Sequence, residues 1–198
     1  MQTLIFATNN HHKVEEVRSV LKNIFTITSL KEAGINKDIP EPYSSLEENA
    51  REKSTVIHAL TGKDCFSEDT GLEVDALHGQ PGVKSARYAG EEADSKKNIQ
   101  KLLNYMTGKA ERNARFRTVI SLIFNKKEYL FEGICTGKII ELPKGENGFG
   151  YDPVFIPDGA EKTFAEMDMD EKNKYSHRKK AIEKLIHFLT QHHGKDKI

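Results

Sequence analysis

Short apolar runs and amphipathic stretches alternate along the first half of the chain. Residues 4–7 form an apolar run that predicts a strand, and Val14, Val17 and Leu21 then recur at the spacing of a helix. Residues 25–29 predict a second strand. This order of strand, loop, helix and strand favours an α/β fold.

A capping box marks the start of the next helix. Glu48 follows Ser45 by three residues, and Leu46 and Ile57 lie on the apolar face of the helix that follows. Lys53 lies beside that face. It either snorkels to solvent, which the spacing alone slightly favours, or reaches from a rigid helix toward a phosphate.

Residues 66–75 form an apolar run that ends in acids, a hydroxyl and a glycine. Because side chains alternate along a strand, Glu68 and Asp69 are expected to point to opposite faces, so only one of them enters a given cleft. Asp69 is the candidate metal ligand, Thr70 a candidate phosphate contact, and Gly71 lets the backbone turn or a ligand come close. Taken alone, the stretch is more typical of an acidic turn after a core strand.

The second half of the chain is richer in strands. Residues 116–124 and 129–140, joined by residues 125–128, predict a β-hairpin within the sheet, and a long hairpin is a natural dimerisation surface. With 198 residues the chain fits one domain, or two lobes that share a sheet. We therefore expect a single domain over residues 1–198 with a mixed central sheet.

Composition excludes several classes of protein. The 30 Lys and Arg residues balance 30 Asp and Glu residues, so no net field favours nucleic acid or an anionic membrane. No apolar run approaches a membrane span, and the N-terminus lacks the basic flank of a signal peptide. Cys65 and Cys135 have no C-x-x-C spacing, and buried free thiols fit a reducing compartment. We expect a soluble, cytoplasmic protein.

The polar loop after the first strand contains Thr8, Asn9, Asn10 and Lys13. At the carboxyl end of a strand and the start of a helix, backbone N–H groups and the helix dipole suit a phosphate. The loop is not a P-loop, because the G-x-x-x-x-G-K-[ST] pattern is absent. The alternative, more usual for such residues, is capping and solvation of the helix start.

Three glycines, two aromatic residues and an acid are interleaved in the loop that contains Phe149, Gly150, Tyr151 and Asp152. Such a loop predicts a pocket wall on which a flat ring can stack, with the backbone close to the ligand. The alternative is a glycine-rich turn whose aromatic residues belong to the core.

The last predicted helix begins with two cations. Ser176 is the predicted N-cap, which places His177 and Arg178 in the first turn. Cations at a helix N-terminus oppose the macrodipole, so their position needs a partner outside the helix. A bound anion or an electron-rich base edge would supply one.

Together these stretches resemble the inosine-triphosphate pyrophosphatase family, whose members act on deaminated purine nucleotides. The matching stretches run in family order across nearly the whole chain, and their combination is specific where no single one is. They are residues 7–10 with Lys13 and Glu16, 48–50 with Lys53, 68–77, 81–83 with 85–90, 148–153, and 163–167 with 171–173 and 176–178.

The resemblance implies cleavage of a nucleoside triphosphate between the α and β phosphates, giving the monophosphate and pyrophosphate with Mg²⁺ required. It implies ITP, dITP and XTP as preferred substrates. It also implies a long mixed sheet flanked by helices, two lobes with a nucleotide cleft between them, and a homodimer.

Matched position by position, the resemblance implies a role for individual residues. Asp69 matches the general base and a metal-linked acid, and Glu41 falls where a second metal-linked acid is expected, although residues 42–45 depart from the family pattern. His177 and Arg178 as donors would favour a six-keto purine over adenine. The implied substrate contacts are Thr8, Asn9, Asn10, Lys13, Lys53, Thr70 and Lys172 for the triphosphate, and Phe149, Gly150, Tyr151, Asp152, His177 and Arg178 for the base.

Two other functions stay open. One is a nucleotide-binding or regulatory module that keeps the pocket without turnover, which the presence of Asp69 and the lysines disfavours. The other is a pyrophosphatase of related fold that acts on pyrimidine nucleotides. Release of pyrophosphate from inosine triphosphate with Mg²⁺ would separate the three.

Overall fold

The computed structural model describes residues 3–21, 25–37 and 39–192. The chain divides into two compact units. Unit 1 comprises Met1–Asp69, Thr118–Gly133 and Arg178–Ile198, and unit 2 comprises Thr70–Arg117 and Ile134–His177. The chain therefore enters and leaves unit 2 twice.

Strands and helices alternate through the first half, as predicted. The strands are β1 (Thr3–Phe6), β2 (Thr26–Ser29), β3 (Cys65–Val74), β4 (Pro81–Gly82), β5 (Asn113–Phe124), β6 (Lys127–Ile139) and β7 (Phe155–Pro157). The helices are α1 (His11–Leu21), α2 (Leu46–Thr61), α3 (Ser95–Met106), α4 (Met169–Lys172) and α5 (His177–His192). Across residues 3–21, 25–37 and 39–192, no helix combines the length and the apolar character that crossing a membrane requires.

The seven strands form one mixed sheet, in the order β2-β1-β3-β5-β6-β7 with β4 beside β3. β1 pairs in parallel with both β2 and β3, whereas β4 pairs antiparallel with β3 and β7 with β6. The predicted α/β class with a mixed sheet is therefore confirmed.

Side chains of β1 and β3 alternate between two apolar clusters of unit 1. On one face, Phe6 and Phe66 stack with ring centroids 4.5 Å apart and belong to the cluster that includes α1 and α5. On the other face, Ile5 and Cys65 pack with Ile57 of α2. Successive side chains of β3 therefore face different helices, which decides where its acids point.

Unit 2 has its own core, which includes Leu72 of β3, Leu102 of α3 and Phe155 of β7. Gly71 permits the close pairing of β3 with β4, because a Cβ at this position would lie 2.6 Å from the carbonyl oxygen of Gly82. The sequence predicted a turn or the close approach of a ligand at Gly71. The structure shows the close approach of a neighbouring strand instead.

β5 and β6 form the predicted hairpin with a shorter connection than expected. Only Asn125 and Lys126 lie between the strands, with φ of +49° and +61°. Two left-handed residues are the signature of a type I′ turn, whose twist suits a hairpin. The backbone N–H of Asn125 donates to Asp64 at 3.0 Å and helps to fix the turn. The sequence predicted a connection of four residues, 125–128, whereas Lys127 and Glu128 belong to β6.

Candidate active site

Glu68 and Asp69 are neighbours on β3, and their side chains contact different helices of unit 1. Asp69 contacts Lys53 of α2, whereas Glu68 contacts Lys13 of α1 and Arg178 of α5. Strand alternation predicts this separation. The two acids therefore belong to two different ion clusters.

The acidic cluster consists of Glu41, Lys53 and Asp69. The Lys53 ammonium lies 2.5 Å from Glu41 Oε1 and 3.3 Å from Asp69 Oδ1, and only 6% of Lys53 is exposed. Glu41 reaches the ammonium from between Pro40 and Pro42, whose rings restrict the backbone. The sequence favoured a snorkelling Lys53. The structure instead buries its ammonium against two carboxylates.

Two carboxylates share one ammonium in the acidic cluster. Burial raises the pKa of Asp69, and Glu41 raises it further, while the charges of Lys53 and Lys13 offset only part of this rise. Burial lowers the pKa of Lys53, but Asp69 and Glu41 outweigh it and bring the pKa above its ordinary value. Lys53 therefore stays charged, and Asp69 holds a proton more strongly than an exposed aspartate does.

The residues of the acidic cluster fit Mg²⁺, which is commonly held by one or two carboxylates together with phosphate oxygens and water. Glu41 and Asp69 supply two carboxylates close enough to contact the same ammonium. In the part of the chain that the structure describes, no three His, Cys, Asp or Glu side chains form a metal-binding group. Two such carboxylates would leave coordination positions for phosphate oxygens and water, and Mg²⁺ binding stays a prediction.

The paired cluster consists of Lys13, Glu16, Glu68 and Arg178. The Arg178 guanidinium donates from Nε to Glu68 Oε2 at 2.8 Å and from Nη2 to Oε1 at 3.0 Å, and its Nη1 donates to Glu16. Lys13 lies 3.1 Å from Glu68 Oε1. Burial raises the pKa of Glu68, but the charges of Arg178 and Lys13 outweigh it and lower the pKa to about 2. Two cations thus face two carboxylates.

The partners of Arg178 explain why a cation occupies the first turn of α5. The sequence suggested a bound anion or a base edge as the compensating group. The structure supplies the carboxylates of Glu16 and Glu68 as partners outside the helix, and the bidentate pair with Glu68 offsets the unfavourable dipole. Arg178 is only 2% exposed. Its contact with a nucleotide base stays a prediction from the resemblance.

Side chains of the loop after β1 hold its backbone. The backbone N–H of Asn10 donates to Thr8 Oγ1 at 3.1 Å, and that of Lys13 donates to Asn10 Oδ1 at 3.2 Å, so Asn10 caps α1. Asn9 Oδ1 accepts from the backbone N–H of Lys31 at 3.1 Å. These contacts fit the capping alternative, and the phosphate contacts of the loop stay predictions.

In unit 2, Asp152 fixes the glycine-rich loop. Its Oδ2 accepts from Lys172 Nζ at 2.8 Å and from the backbone N–H of Phe149 at 2.9 Å. A Cβ at Gly148 would collide with the same oxygen, so the loop requires glycine there. Lys172 is 4% exposed, and its ammonium lies 5.4 Å from the ring centroid of Phe149. The structure thus shows Lys172 paired with Asp152, and its triphosphate contact stays a prediction.

The other aromatic residues near this loop differ in exposure. Tyr151 is 3% exposed and its hydroxyl donates to the carbonyl oxygen of Ser85 at 2.9 Å, which matches the alternative of a core aromatic. His177 stacks on Phe116 with ring centroids 4.7 Å apart. Phe149 is half-buried, so its ring is the one best placed to stack on a ligand.

The predicted site residues are divided between the two units. Those of unit 1 are Thr8, Asn9, Asn10, Lys13, Glu41, Lys53, Asp69 and Arg178, and those of unit 2 are Thr70, Phe149, Gly150, Tyr151, Asp152, Lys172 and His177. Two further residues, Glu16 and Asn49, contact Arg178 and Asp69, and no sequence motif predicted a role for them. The signal that could have found them was a polar residue near the apolar face of a predicted helix.

Comparison with known proteins gives consistent matches along the chain. The model of the Ham1 family matches residues 4–188. A protein of Flavobacterium johnsoniae named dITP/XTP pyrophosphatase is 47% identical over 94% of this chain and 97% of its own length. A protein of Flavobacterium psychrophilum with the same name is 48% identical, over 94% of this chain and 98% of its own. The solved structure of the Staphylococcus aureus Ham1 protein is 36% identical with a TM-score of 0.87, over 96% of this chain and 100% of that one.

Proposed function

Because the chain belongs to the Ham1 family, we propose that it hydrolyses ITP, dITP and XTP to the monophosphate and pyrophosphate. The predicted family is confirmed by the match over residues 4–188, and with it the enzyme class of nucleoside-triphosphate pyrophosphatases. The name dITP/XTP pyrophosphatase, which both Flavobacterium relatives carry, supports the substrates. Removal of these nucleotides would keep deaminated bases out of the nucleotide pool.

The observation that carries the proposal is the acidic cluster, in which Asp69 of β3 meets Lys53 of α2. Asp69 is 6% exposed, and its carboxylate contacts Lys53 through Oδ1 and Asn49 through Oδ2. A buried carboxylate with a raised pKa is a stronger base than one in water, which suits proton transfer from a bound water. Asp69 is accordingly assigned as the general base.

In the proposed reaction, Asp69 accepts a proton from a water molecule whose oxygen bonds to the α-phosphorus. The bond from that phosphorus to the oxygen bridging to the β-phosphorus breaks, and the electron pair leaves with pyrophosphate. Lys13 and Lys53 offset phosphate charge. Mg²⁺ held by Glu41 and Asp69 would supply further charge neutralisation and lower the pKa of the water.

The base is assigned to unit 2, where the half-buried ring of Phe149 would stack on a purine. The pairing of Asp152 with Lys172 and with the backbone of Phe149 supports a rigid loop for that contact. His177 and Arg178 are assigned as donors to a six-keto oxygen on the strength of the family resemblance. Such donors would disfavour adenine, whose six-amino group is itself a donor, on the order of 10⁴-fold.

The activity is tested by incubating the protein with Mg²⁺ and dITP, XTP, dATP, dGTP or dUTP, and by assaying pyrophosphate and orthophosphate separately. We expect pyrophosphate from dITP and XTP, and far less from the other nucleotides. Orthophosphate alone would correct the reaction type. Preference for dUTP would favour the pyrimidine enzyme, and nucleotide binding without either product would favour the binding module.

Two controls separate the chemistry from contaminants and from metal effects. Asp69→Asn prepared in parallel should release pyrophosphate on the order of 10³-fold more slowly, and EDTA should abolish release by the unaltered protein. Activity that survives EDTA would remove Mg²⁺ from the proposal and leave the substrate assignment standing.

A homodimer is proposed from the family resemblance alone. Light scattering coupled to size-exclusion chromatography should give twice the mass of one chain. A mass equal to one chain at micromolar concentration would reject the dimer and leave the proposed activity untouched.

A further inference from the structure

Asn49 of α2 forms three hydrogen bonds within unit 1. Its Oδ1 accepts from the backbone N–H of Tyr43 at 3.0 Å, and its Nδ2 donates to the carbonyl oxygen of Tyr43 at 3.2 Å and to Asp69 Oδ2 at 3.3 Å. Only 1% of Asn49 is exposed. The amide therefore joins the loop before α2 to the carboxylate on β3.

Few side chains could replace this amide. Asn49 uses both hydrogens of Nδ2 and one acceptor position of Oδ1. Aspartate has the same shape but no donor in its ionised form, and it would set a second carboxylate against Asp69. Alanine would remove the partner of the Tyr43 backbone groups and would leave Oδ2 of the buried Asp69 without this donor, which is unfavourable away from water.

The three hydrogen bonds close a ring through the acidic cluster. Tyr43 lies two residues after Glu41, the carboxylate of Glu41 contacts the Lys53 ammonium, and that ammonium contacts Asp69 Oδ1. Asp69 Oδ2 in turn accepts a hydrogen bond from Asn49 Nδ2, which closes the ring. The same amide therefore sets the position of the loop that contains Glu41 and the orientation of the Asp69 carboxylate.

We propose that Asn49 is a positioning residue for the hydrolysis. It holds the plane of the Asp69 carboxylate and keeps Glu41 at the acidic cluster. The inference rests on the proposed function, because a positioned base matters only if the base acts. A displacement of about 1 Å at a reacting group can reduce the rate on the order of 10²-fold. Removal of the donor should therefore reduce kcat more than it changes KM.

Asn98 provides a matched control in unit 2. It lies near the start of α3, is 3% exposed, and binds a preceding loop in the same way, with Oδ1 accepting from the backbone N–H of Ala89 at 2.7 Å and Nδ2 donating to the carbonyl oxygen of Ala86 at 2.8 Å. Neither of these partners is a carboxylate. The two asparagines thus share the loop contact and differ in the contact with an acid.

The experiment compares Asn49→Asp and Asn49→Ala with Asn98→Asp and Asn98→Ala. Steady-state kinetics with dITP and Mg²⁺ give kcat and KM, and thermal melting gives the stability of each variant. We expect kcat of both Asn49 variants to fall on the order of 10²-fold with KM within about threefold. The Asn98 variants should melt at lower temperature with kcat within about threefold of the unaltered protein.

Hydrogen exchange without nucleotide or metal tests the loop contact separately. The backbone N–H of Tyr43 should lose protection in Asn49→Ala and keep it in Asn49→Asp, because aspartate still accepts from it. Loss of turnover with this protection intact would assign the defect to the contact with Asp69 and not to the loop that contains Tyr43.

Other outcomes overturn the inference. Asn49→Asp with kcat within threefold of the unaltered protein would reject it, as would an equal loss of kcat in the Asn98 variants. If the unaltered protein released no pyrophosphate from any nucleotide, the proposed function would fail, and the positioning role would fall with it. Exchange at Tyr43 would still report the contact itself, so the two failures are distinguishable.

Discussion

Glu68 and Asp69 follow each other on β3, and both are almost fully buried, yet their surroundings in unit 1 differ. In the paired cluster, Arg178 and Lys13 face Glu68 and Glu16, and the pKa of Glu68 is lowered to about 2. In the acidic cluster, Lys53 contacts both Glu41 and Asp69, and the pKa of Asp69 is raised by burial and by Glu41. Balance of charge, not depth of burial, distinguishes these neighbouring acids.

That difference has a chemical consequence. A carboxylate held ionised by a bidentate guanidinium is a poor proton acceptor, because its charge is already matched. A carboxylate that shares one ammonium with a second acid carries charge that is only partly compensated. It is therefore stabilised by any further cation, and it accepts a proton more readily. We therefore propose that Glu68 stabilises the fold through its pair with Arg178, and that Asp69 accepts the proton in the reaction.

The largest expected effect is on turnover in Asp69→Asn. The amide keeps the size of the side chain but cannot accept the proton, so kcat should fall on the order of 10³-fold. Rapid-quench assays of pyrophosphate measure the chemical step, and calorimetric titration should show that dITP still binds. Glu68→Gln is the matched change on the other face of β3, and it should mainly lower the urea midpoint of unfolding. Near-normal turnover in Asp69→Asn would sink its assignment as the base.

Arg178→Met tests the paired cluster. Methionine has a similar volume, but it leaves Glu16 and Glu68 buried without the guanidinium, so the free energy of unfolding should fall by about 3–5 kcal/mol. Urea denaturation measures the loss. Adding Glu68→Gln to this variant should restore part of it, because one buried charge is then removed. A loss below about 1 kcal/mol in Arg178→Met would contradict the structural role of the cluster.

Arg178 also has a predicted contact with the base, and the two roles give different signatures. Arg178→Lys keeps a cation but loses the planar fork, so it should recover some stability. If Arg178 also reads the base, the ratio of activity on dITP to activity on dATP should fall in both variants. An unchanged ratio would remove Arg178 from the base contacts and leave the paired cluster as its whole function.

The sequence predicted the local features of these clusters well. The alternation of Glu68 and Asp69 follows from the period of a strand. Ser45 is the N-cap of α2 as predicted, with its side chain accepting from the backbone N–H of Glu48, although Glu48 Oε2 accepts from the Ser45 hydroxyl. The unfavourable position of Arg178 also pointed to an outside partner. Each of these inferences needs only a few neighbouring residues.

Partners from distant parts of the chain could not be predicted in this way. Arg178 contacts Glu68, which lies 110 positions earlier in the chain, and Glu16, which lies 162 positions earlier. No periodic pattern specifies which acid a buried cation will contact. The contact of Asn49 with Asp69 spans 20 positions and depends on how α2 packs on β3. Tertiary packing supplied the information that local spacing lacks.

Lys53→Met removes the cation of the acidic cluster and leaves its two carboxylates in place. It removes an ammonium that contacts both Glu41 and Asp69, so two carboxylates remain close together and a charge proposed to offset the phosphates is lost. We expect kcat/KM to fall on the order of 10²-fold, measured with dITP under steady-state conditions. Addition of Mg²⁺ above the wild-type optimum should recover part of the activity if the loss is one of charge. An unaltered kcat/KM would show that Lys53 serves stability alone.

The smallest effect is expected from Lys13→Met, because Lys13 is the one partly exposed member of the paired cluster. Its side chain is 17% exposed, and Glu68 keeps both contacts with Arg178 when Lys13 is removed. Stability should therefore change by only about 1 kcal/mol, whereas loss of a phosphate contact should raise KM for dITP about tenfold. Lys97→Met is the control, since Lys97 pairs with Glu92 on the surface and should leave KM unchanged. A destabilisation by Lys13→Met as large as that of Arg178→Met, with KM unaltered, would make Lys13 a structural member of the cluster and withdraw it from the phosphate contacts.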